Sequence, residues 1–173
     1  LMIITLVAVI IAPLIIFLFA WGFYFNADPE QFQLASDMLR ITFPYLLLIS
    51  LTALSGSILN TYDNFTVPAF TPVLLNISLI LSAIFLSKYL STPIMALAWG
   101  VLLGGIAQLA FQIPFLRKIK RLPKLKFGHH QALTTLKKRM LPALFGVSVS
   151  QINLLVDTMI ASTLIAGSVS WLY

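Results

Sequence analysis

Three polar side chains, Ser150, Asn153 and Asp157, recur three and four residues apart inside an otherwise apolar stretch. At 3.6 residues per turn, this spacing places them on one face of a helix. Hydroxyl, amide and carboxylate oxygens on one face can ligate a cation or line a water-filled route. A single carboxylate among apolar residues can also lie near the outer membrane interface or make a structural hydrogen bond. Asp157 therefore has two interpretations at this point, functional and structural.

The remaining sequence offers little for catalysis. Its five Asp and Glu residues are scattered, cysteine is absent, and neither a Gly-rich phosphate loop nor a nucleophile–base pair stands out. His129 and His130 are adjacent, and adjacent residues do not point to one ligand position on a helix, so no metal site is predicted there. The pattern favours a transport protein over an enzyme, with a membrane scaffold and a membrane enzyme as alternatives.

Long apolar segments must hold these residues. Hydrophobic residues make up 60% of the chain and charged residues only 9%, too few to build a water-facing surface. A helix of about 20 apolar residues crosses a bilayer, and the runs do not alternate as the strands of a membrane barrel do. Five segments can span: Leu1 to Phe25, Ile41 to Tyr62, Pro68 to Ser87, Thr92 to Leu116 and Met140 to Leu164. A sixth is expected to start at Ser168, so we expect a fragment of a longer all-α polytopic protein.

The basic residues predict the orientation. Nine of the eleven Lys and Arg residues lie between Arg117 and Arg139. Cytoplasmic loops carry an excess of Lys and Arg, so this loop is predicted to be cytoplasmic, and its charge does not indicate a nucleic-acid partner. Counting back, the turn at Asn60 to Phe65 is also cytoplasmic, whereas Lys88 and a loop from Asp28 to Asp37 face outward.

Within the basic loop, Leu133, Leu136 and Met140 recur at helical spacing. They predict a short helix in the headgroup region, where Lys and Arg contact anionic membrane lipids. An ordinary solvated connector fits the same residues, so both interpretations stay open.

Polar and small residues inside the spans predict contacts between helices. Gln108, Gln112 and Asn76 are expected to form hydrogen bonds across helices, and Gly100 and Gly104 form a GxxxG pair that allows close backbone approach. Prolines that kink helices favour a transporter over a passive anchor. They lie in or beside the spans at Pro13, Pro44, Pro72, Pro93, Pro114 and Pro142.

Several motifs occur in an order typical of one family. The first group is LRITFPY at residues 39–45, ILNT at 58–61, PAFTP at 68–72 and LLNIS at 74–78. The second group is LAWG at 97–100, GG at 104–105, GVSVSQIN at 146–153 and GSVSW at 167–171. Over residues 39–173 the chain resembles the MurJ (MviN) family of lipid II flippases, and residues 1–37 agree mainly in hydropathy.

The resemblance implies an architecture and an activity. That family belongs to the multidrug/oligosaccharidyl-lipid/polysaccharide exporter superfamily, whose members have transmembrane helices in two lobes with alternating access. It moves lipid II, the undecaprenyl-linked peptidoglycan precursor, from the inner to the outer leaflet of the bacterial cytoplasmic membrane. The resemblance implies that residues 1–116 belong to the first lobe, that residues 117–139 form a cytoplasmic connector, and that residues 140–173 begin the second lobe.

The resemblance also implies site residues and partners. Ser170 matches a serine at the family's substrate cavity, which we expect Asn153 and Ser150 to line as well. Asp157 falls in a helix where some members hold a sodium-ligating aspartate and others asparagine, so sodium, proton and membrane-potential coupling stay open. No cofactor is expected, and the expected partners are lipid II, membrane lipids and cell-wall synthesis proteins. The alternative function is export of another polyprenyl-linked oligosaccharide or of drugs.

Overall fold

A computed structural model describes residues 2–19, 29–123 and 131–162, and every regular element within these ranges is helical. The elements are α1 (Met2–Ile10), α2 (Ala12–Phe19), α3 (Pro29–Thr42), α4 (Pro44–Thr61), α5 (Thr66–Phe85), a 3-10 turn (Leu86–Lys88), α6 (Met95–Lys118) and α7 (Gln131–Ser162). The predicted all-α polytopic fold is confirmed.

Four stretches of the described residues are long and apolar enough to cross a membrane: Glu30–Thr61, Thr66–Lys88, Met95–Lys118 and Met140–Ala161. They overlap four of the five predicted spans. The first predicted span is divided instead into α1 and α2, of 9 and 8 residues, which meet at Ile11. Its last residues lie outside the described ranges, as does the start of a sixth span.

The loop conformation predicted from Asp28 to Asp37 is wrong where the structure describes it, because a helix, α3, begins at Pro29. The predicted outward side of these residues stays a prediction. Proline suits the first position of a helix, where its missing N–H leaves no bond unmade. Glu30 in the first turn and Arg40 in the last complement the helix dipole. Arg40 also pairs with Asp37 one turn earlier at 3.2 Å.

Leu133, Leu136 and Met140 are helical, as one of the two interpretations of the basic loop predicted, but their helix is not a short one. Residues from Gln131 onward form the first turns of α7, which continues without interruption through Pro142 to Ser162. The 32-residue helix is long enough to include both the amphipathic turns and the span that follows.

The described residues divide into two compact units. Residues 2–12 and 34–123 form the first unit, and residues 13–19, 29–33 and 131–162 belong to the second. In the first unit, α6 packs along both α4 and α5, while α1 packs against α4. Its apolar core consists of Leu59, Val67 and Leu116, one residue from each of α4, α5 and α6.

Small residues allow α5 and α6 to approach closely. A β-carbon at Gly100 would lie 2.9 Å from Ser82 Cβ, and one at Gly104 would lie 2.7 Å from Leu75 Cδ1. The Ser78 hydroxyl donates to the Gly100 carbonyl at 2.8 Å across the same contact. The GxxxG prediction is therefore confirmed as a packing contact.

The ends of α4 and α6 lie side by side. The Arg121 guanidinium is 5.7 Å from the centre of the Tyr62 ring, a cation–π distance. Asp63 and Lys120, which follow the two helices, both have left-handed backbone angles, with φ of 58° and 56°. The α4–α5 turn and the start of the basic loop thus lie at one end of the bundle, as the predicted alternation of sides requires.

Candidate functional site

The α7 helix carries the polar residues with which the sequence analysis began. Because α7 is continuous from Gln131 to Ser162, Ser150, Asn153 and Asp157 lie on one helical face. At 3.6 residues per turn, their directions fall within about 60° of one another. All three side chains are exposed. We call these residues the α7 polar face.

The polar groups of this face are unused within the described residues. The neighbouring hydroxyls of Ser148 and Thr158 bond back to the carbonyls of Leu144 and Leu154 at 2.7 and 2.8 Å. The structure records no such bond for Ser150, Asn153 or Asp157 within the described ranges, and no ion pair there for Asp157. Their oxygens can therefore accept a ligand without breaking an internal bond.

The chemistry of the face suits an oxygen-binding cation better than a transition metal. Among the described residues, no three or more His, Cys, Asp or Glu side chains come together. One carboxylate with a neighbouring amide and hydroxyl offers only hard oxygen ligands, which suit alkali and alkaline-earth ions. A cation there would need further oxygens from other elements. The sodium assignment to Asp157 stays a prediction.

Apolar side chains surround the polar face. On α7, Phe145 is 69% exposed, and Val147, Val149 and Ile152 are also exposed. In a bilayer these side chains can face lipid or other helices, whereas a carboxylate at that depth requires water, an ion or a polar partner. The α7 polar face is therefore the strongest candidate for a functional surface among the described residues.

Two other predicted locations fall outside the described ranges. Ser170, expected at the substrate cavity, lies outside them with the rest of the GSVSW motif, and its place at the cavity stays a prediction. His129 and His130 lie outside as well.

A second group of polar residues occupies the first unit. Gln108 Nε2 donates to the Thr71 carbonyl at 3.2 Å, and Gln112 Nε2 donates to Thr71 Oγ1 at 3.0 Å. The predicted cross-helix bonds of both glutamines are confirmed. Sequence reasoning missed their shared partner Thr71, although a threonine one turn after Val67 on a buried face was the available signal. Asn76 is exposed and has no recorded hydrogen bond within the described residues, so its predicted bond is not found there.

Together these features define a polytopic helical membrane protein, with a self-packed helical unit and a long apolar helix that presents a polar face. Comparison with known proteins specifies the class further. The family model described as "Lipid II flippase MurJ" matches residues 1–173. The chain belongs to the MurJ family of lipid II flippases.

Curated relatives agree with this assignment. The "Probable lipid II flippase MurJ" of Haemophilus influenzae is 47% identical over 99% of this chain and 35% of that protein. Its counterpart from Vibrio cholerae is 49% identical over 99% of this chain and 34% of that protein. The "Lipid II flippase MurJ" of Burkholderia cenocepacia is 41% identical over 98% of this chain and 34% of that protein. The chain thus spans about a third of the length of these relatives.

Proposed function

We propose that the intact protein, of which this chain spans about a third, translocates lipid II from the inner to the outer leaflet of the bacterial cytoplasmic membrane by alternating access. The observation that carries the proposal is the family match over residues 1–173, with relatives named as lipid II flippases at 41–49% identity. The four apolar stretches support a multi-pass location.

The physics of the substrate fits this proposal. A lipid-linked pyrophosphate–sugar headgroup cannot cross hydrocarbon unaided, whereas its polyprenyl tail can remain among lipid chains. The protein must therefore offer a polar surface at membrane depth, and the α7 polar face is such a surface. We assign Ser150 and Asn153 to the wall of the translocation route, together with Ser170.

Asp157 is the coupling residue in this proposal. Its carboxylate either ligates sodium with neighbouring oxygens or exchanges a proton as the protein changes between inward- and outward-open states. The membrane potential can contribute about 2.3 kcal/mol per charge per 100 mV. Residues 1–116 and 140–173 would belong to the two moving lobes, joined by residues 117–139.

The test uses the intact protein in cells depleted of their own lipid II flippase. The fraction of lipid II exposed on the outer leaflet is measured with a reagent that does not cross the membrane. Wild-type protein should restore exposure, and Asp157→Leu should reduce it several-fold at equal protein level, because a leucine can neither ligate a cation nor exchange a proton.

A matched control lies on the same helix. Ser148 is two residues before Ser150 and faces another direction, and its hydroxyl only bonds back to Leu144. Ser148→Ala should therefore restore exposure like the wild type. Accumulation of lipid II on the inner leaflet with wild-type protein present in the membrane would contradict the proposal and favour a related exporter of another lipid-linked sugar. Full activity of Asp157→Leu would contradict the coupling role of Asp157 but not the proposal that the protein translocates lipid II.

A further inference from the structure

The interface of α4, α5 and α6 buries a layer of polar side chains far from the α7 polar face in sequence. Thr52, Thr71, Gln108 and Gln112 are only 4%, 4%, 2% and 1% exposed. At membrane depth the bundle is surrounded by hydrocarbon, which forms no hydrogen bonds, so each polar atom of these side chains needs a partner inside the bundle. Within the part of the chain that the structure describes, three of these atoms have none: Thr52 Oγ1, Gln108 Oε1 and Gln112 Oε1.

The orientation of both glutamine amides follows from Thr71. The Thr71 hydroxyl donates its one hydrogen to the Val67 carbonyl at 3.0 Å, so it can only accept from Gln112. The Thr71 carbonyl can only accept from Gln108. Both amides must therefore present nitrogen to Thr71. Turning either amide over would place two acceptors together, so each glutamine keeps an acceptor oxygen that needs a donor.

Thr52 differs from the other hydroxyls on its helix. Ser50, Ser57 and Thr61 each donate to the carbonyl four residues earlier, at 2.7 to 2.9 Å. The Thr52 hydroxyl is buried and makes no bond of this kind. It therefore brings one unused hydrogen and unused acceptor capacity into the layer.

Helix register places these groups at the same depth. On α6, Gly105 lies against Tyr45 and Leu48 of α4, and farther along Gln112 approaches Gly56. The two helices run in the same direction, and Thr52 and Gln108 each lie one turn before the contact of Gly56 with Gln112, which puts Gln108 level with Thr52. Thr71 on α5 closes the layer because it bonds to both glutamines.

From this arrangement we infer that the layer binds a water molecule that bridges α4 to the α5–α6 pair. One water has two hydrogens for the two glutamine oxygens and can accept the hydrogen of Thr52. A cation is disfavoured because the layer holds no carboxylate to offset the cost of burying its charge. Because this chain's own helices bury these atoms, the occupant has to be as small as a water molecule.

Water-edited solid-state NMR of the intact protein in deuterated lipid bilayers tests this inference. Glutamine is labelled with ¹³C and ¹⁵N, and Gln108→Met and Gln112→Met assign the two side-chain signals. Polarisation from water should build up several-fold faster at both side chains than at the backbone amide of Ala98, which is 2% exposed and apolar. Build-up as slow as at Ala98 would overturn the inference.

Two further measurements distinguish the water from other occupants. Replacing choline chloride by sodium chloride should leave both glutamine signals unshifted, and a shift would show a cation site instead.

In thermal unfolding, Thr52→Val should lower stability less in the Gln108→Met protein than in the wild type, because the bridge is already lost. Ser50→Ala serves as the control, and its loss of stability should add to that of Gln108→Met. Additivity of Thr52→Val as well would contradict a shared water. If a variant fails to fold, the two glutamine signals are assigned in the wild type by their through-space contacts with Thr71, which bonds to both side chains.

Discussion

Replacing Gly104 by alanine tests the close contact between α5 and α6. The added β-carbon would lie 2.7 Å from Leu75 Cδ1 and 3.3 Å from both Leu75 Cα and Ser78 Cβ. The Leu75 side chain can rotate, but its Cα belongs to the backbone, so α5 must move away from α6. That movement also strains the bond from Ser78 to the Gly100 carbonyl.

The expected cost follows from overpacking, which typically destabilises by about 1–3 kcal/mol. Alanine also favours a helix over glycine by up to about 1 kcal/mol, which partly offsets this cost. The control Gly146→Ala separates the two effects, because no described residue has an atom within 4 Å of a β-carbon at Gly146 on α7. Both variants share the helix-propensity gain, so the difference between them measures packing alone.

The assay is equilibrium unfolding of the purified intact protein in mixed detergent micelles, with the denaturing detergent as titrant. Gly104→Ala should be less stable than Gly146→Ala by about 1–3 kcal/mol, a factor of about 5 to 150 in the unfolding equilibrium. A difference below about 0.5 kcal/mol, the usual range for substitutions that touch nothing, would refute the close contact at Gly104. Greater destabilisation by Gly146→Ala would refute it too.

Other predictions concern coupling, topology and surface charge. If sodium is the coupling ion, replacing sodium by choline should abolish lipid II exposure on the outer leaflet in the wild type. Lipid II exposure in the Asp157→Asn variant should be the same in sodium and in choline. Equal sodium dependence in both proteins would argue against a sodium site at Asp157. In a cysteine-free background, Lys120→Cys should react with an impermeant thiol reagent only from the cytoplasmic side, and labelling in intact cells from outside would invert the topology. Ser170→Cys should react with a water-soluble thiol reagent, because Ser170 is assigned to the wall of the translocation route. A cysteine that never reacts would contradict that assignment. Arg40→Gln should change the free energy of unfolding by less than about 1 kcal/mol, since the Arg40–Asp37 pair is exposed, and a larger loss would indicate a contact beyond this pair.

The positions of most spans were predictable because hydropathy is a property of the segment itself. Long charge-free runs predicted α5 and α6 within a few residues of their observed ends. The first span was different, because its composition gives no signal for the break at Ile11. The α3 helix was missed because Glu30 and Asp37 were interpreted as loop residues, although the pair of Asp37 with Arg40 three residues later is a helical spacing.

The contacts of polar residues inside the spans could be predicted only in part, because they depend on how neighbouring helices pack. Gln108 and Gln112 form the predicted cross-helix bonds because α6 lies between two neighbours, so both polar positions meet another helix. Asn76 looked equivalent in the sequence, yet it is exposed, because burial depends on which face of α5 meets α6. The α7 polar face was predictable because it needs only helical periodicity. Its partners were not, because they belong to other elements.

The core of Leu59, Val67 and Leu116 has a consequence for biosynthesis. All three residues, and the partly buried side chains packed on them, lie between Ile58 and Ile119. Chains generally fold from the N-terminal side while they are being made. The α4–α6 bundle can therefore complete its apolar centre while α7 is still within the ribosome. The translation machinery then has to insert α7, with Asp157 in its apolar span, after that bundle has already assembled.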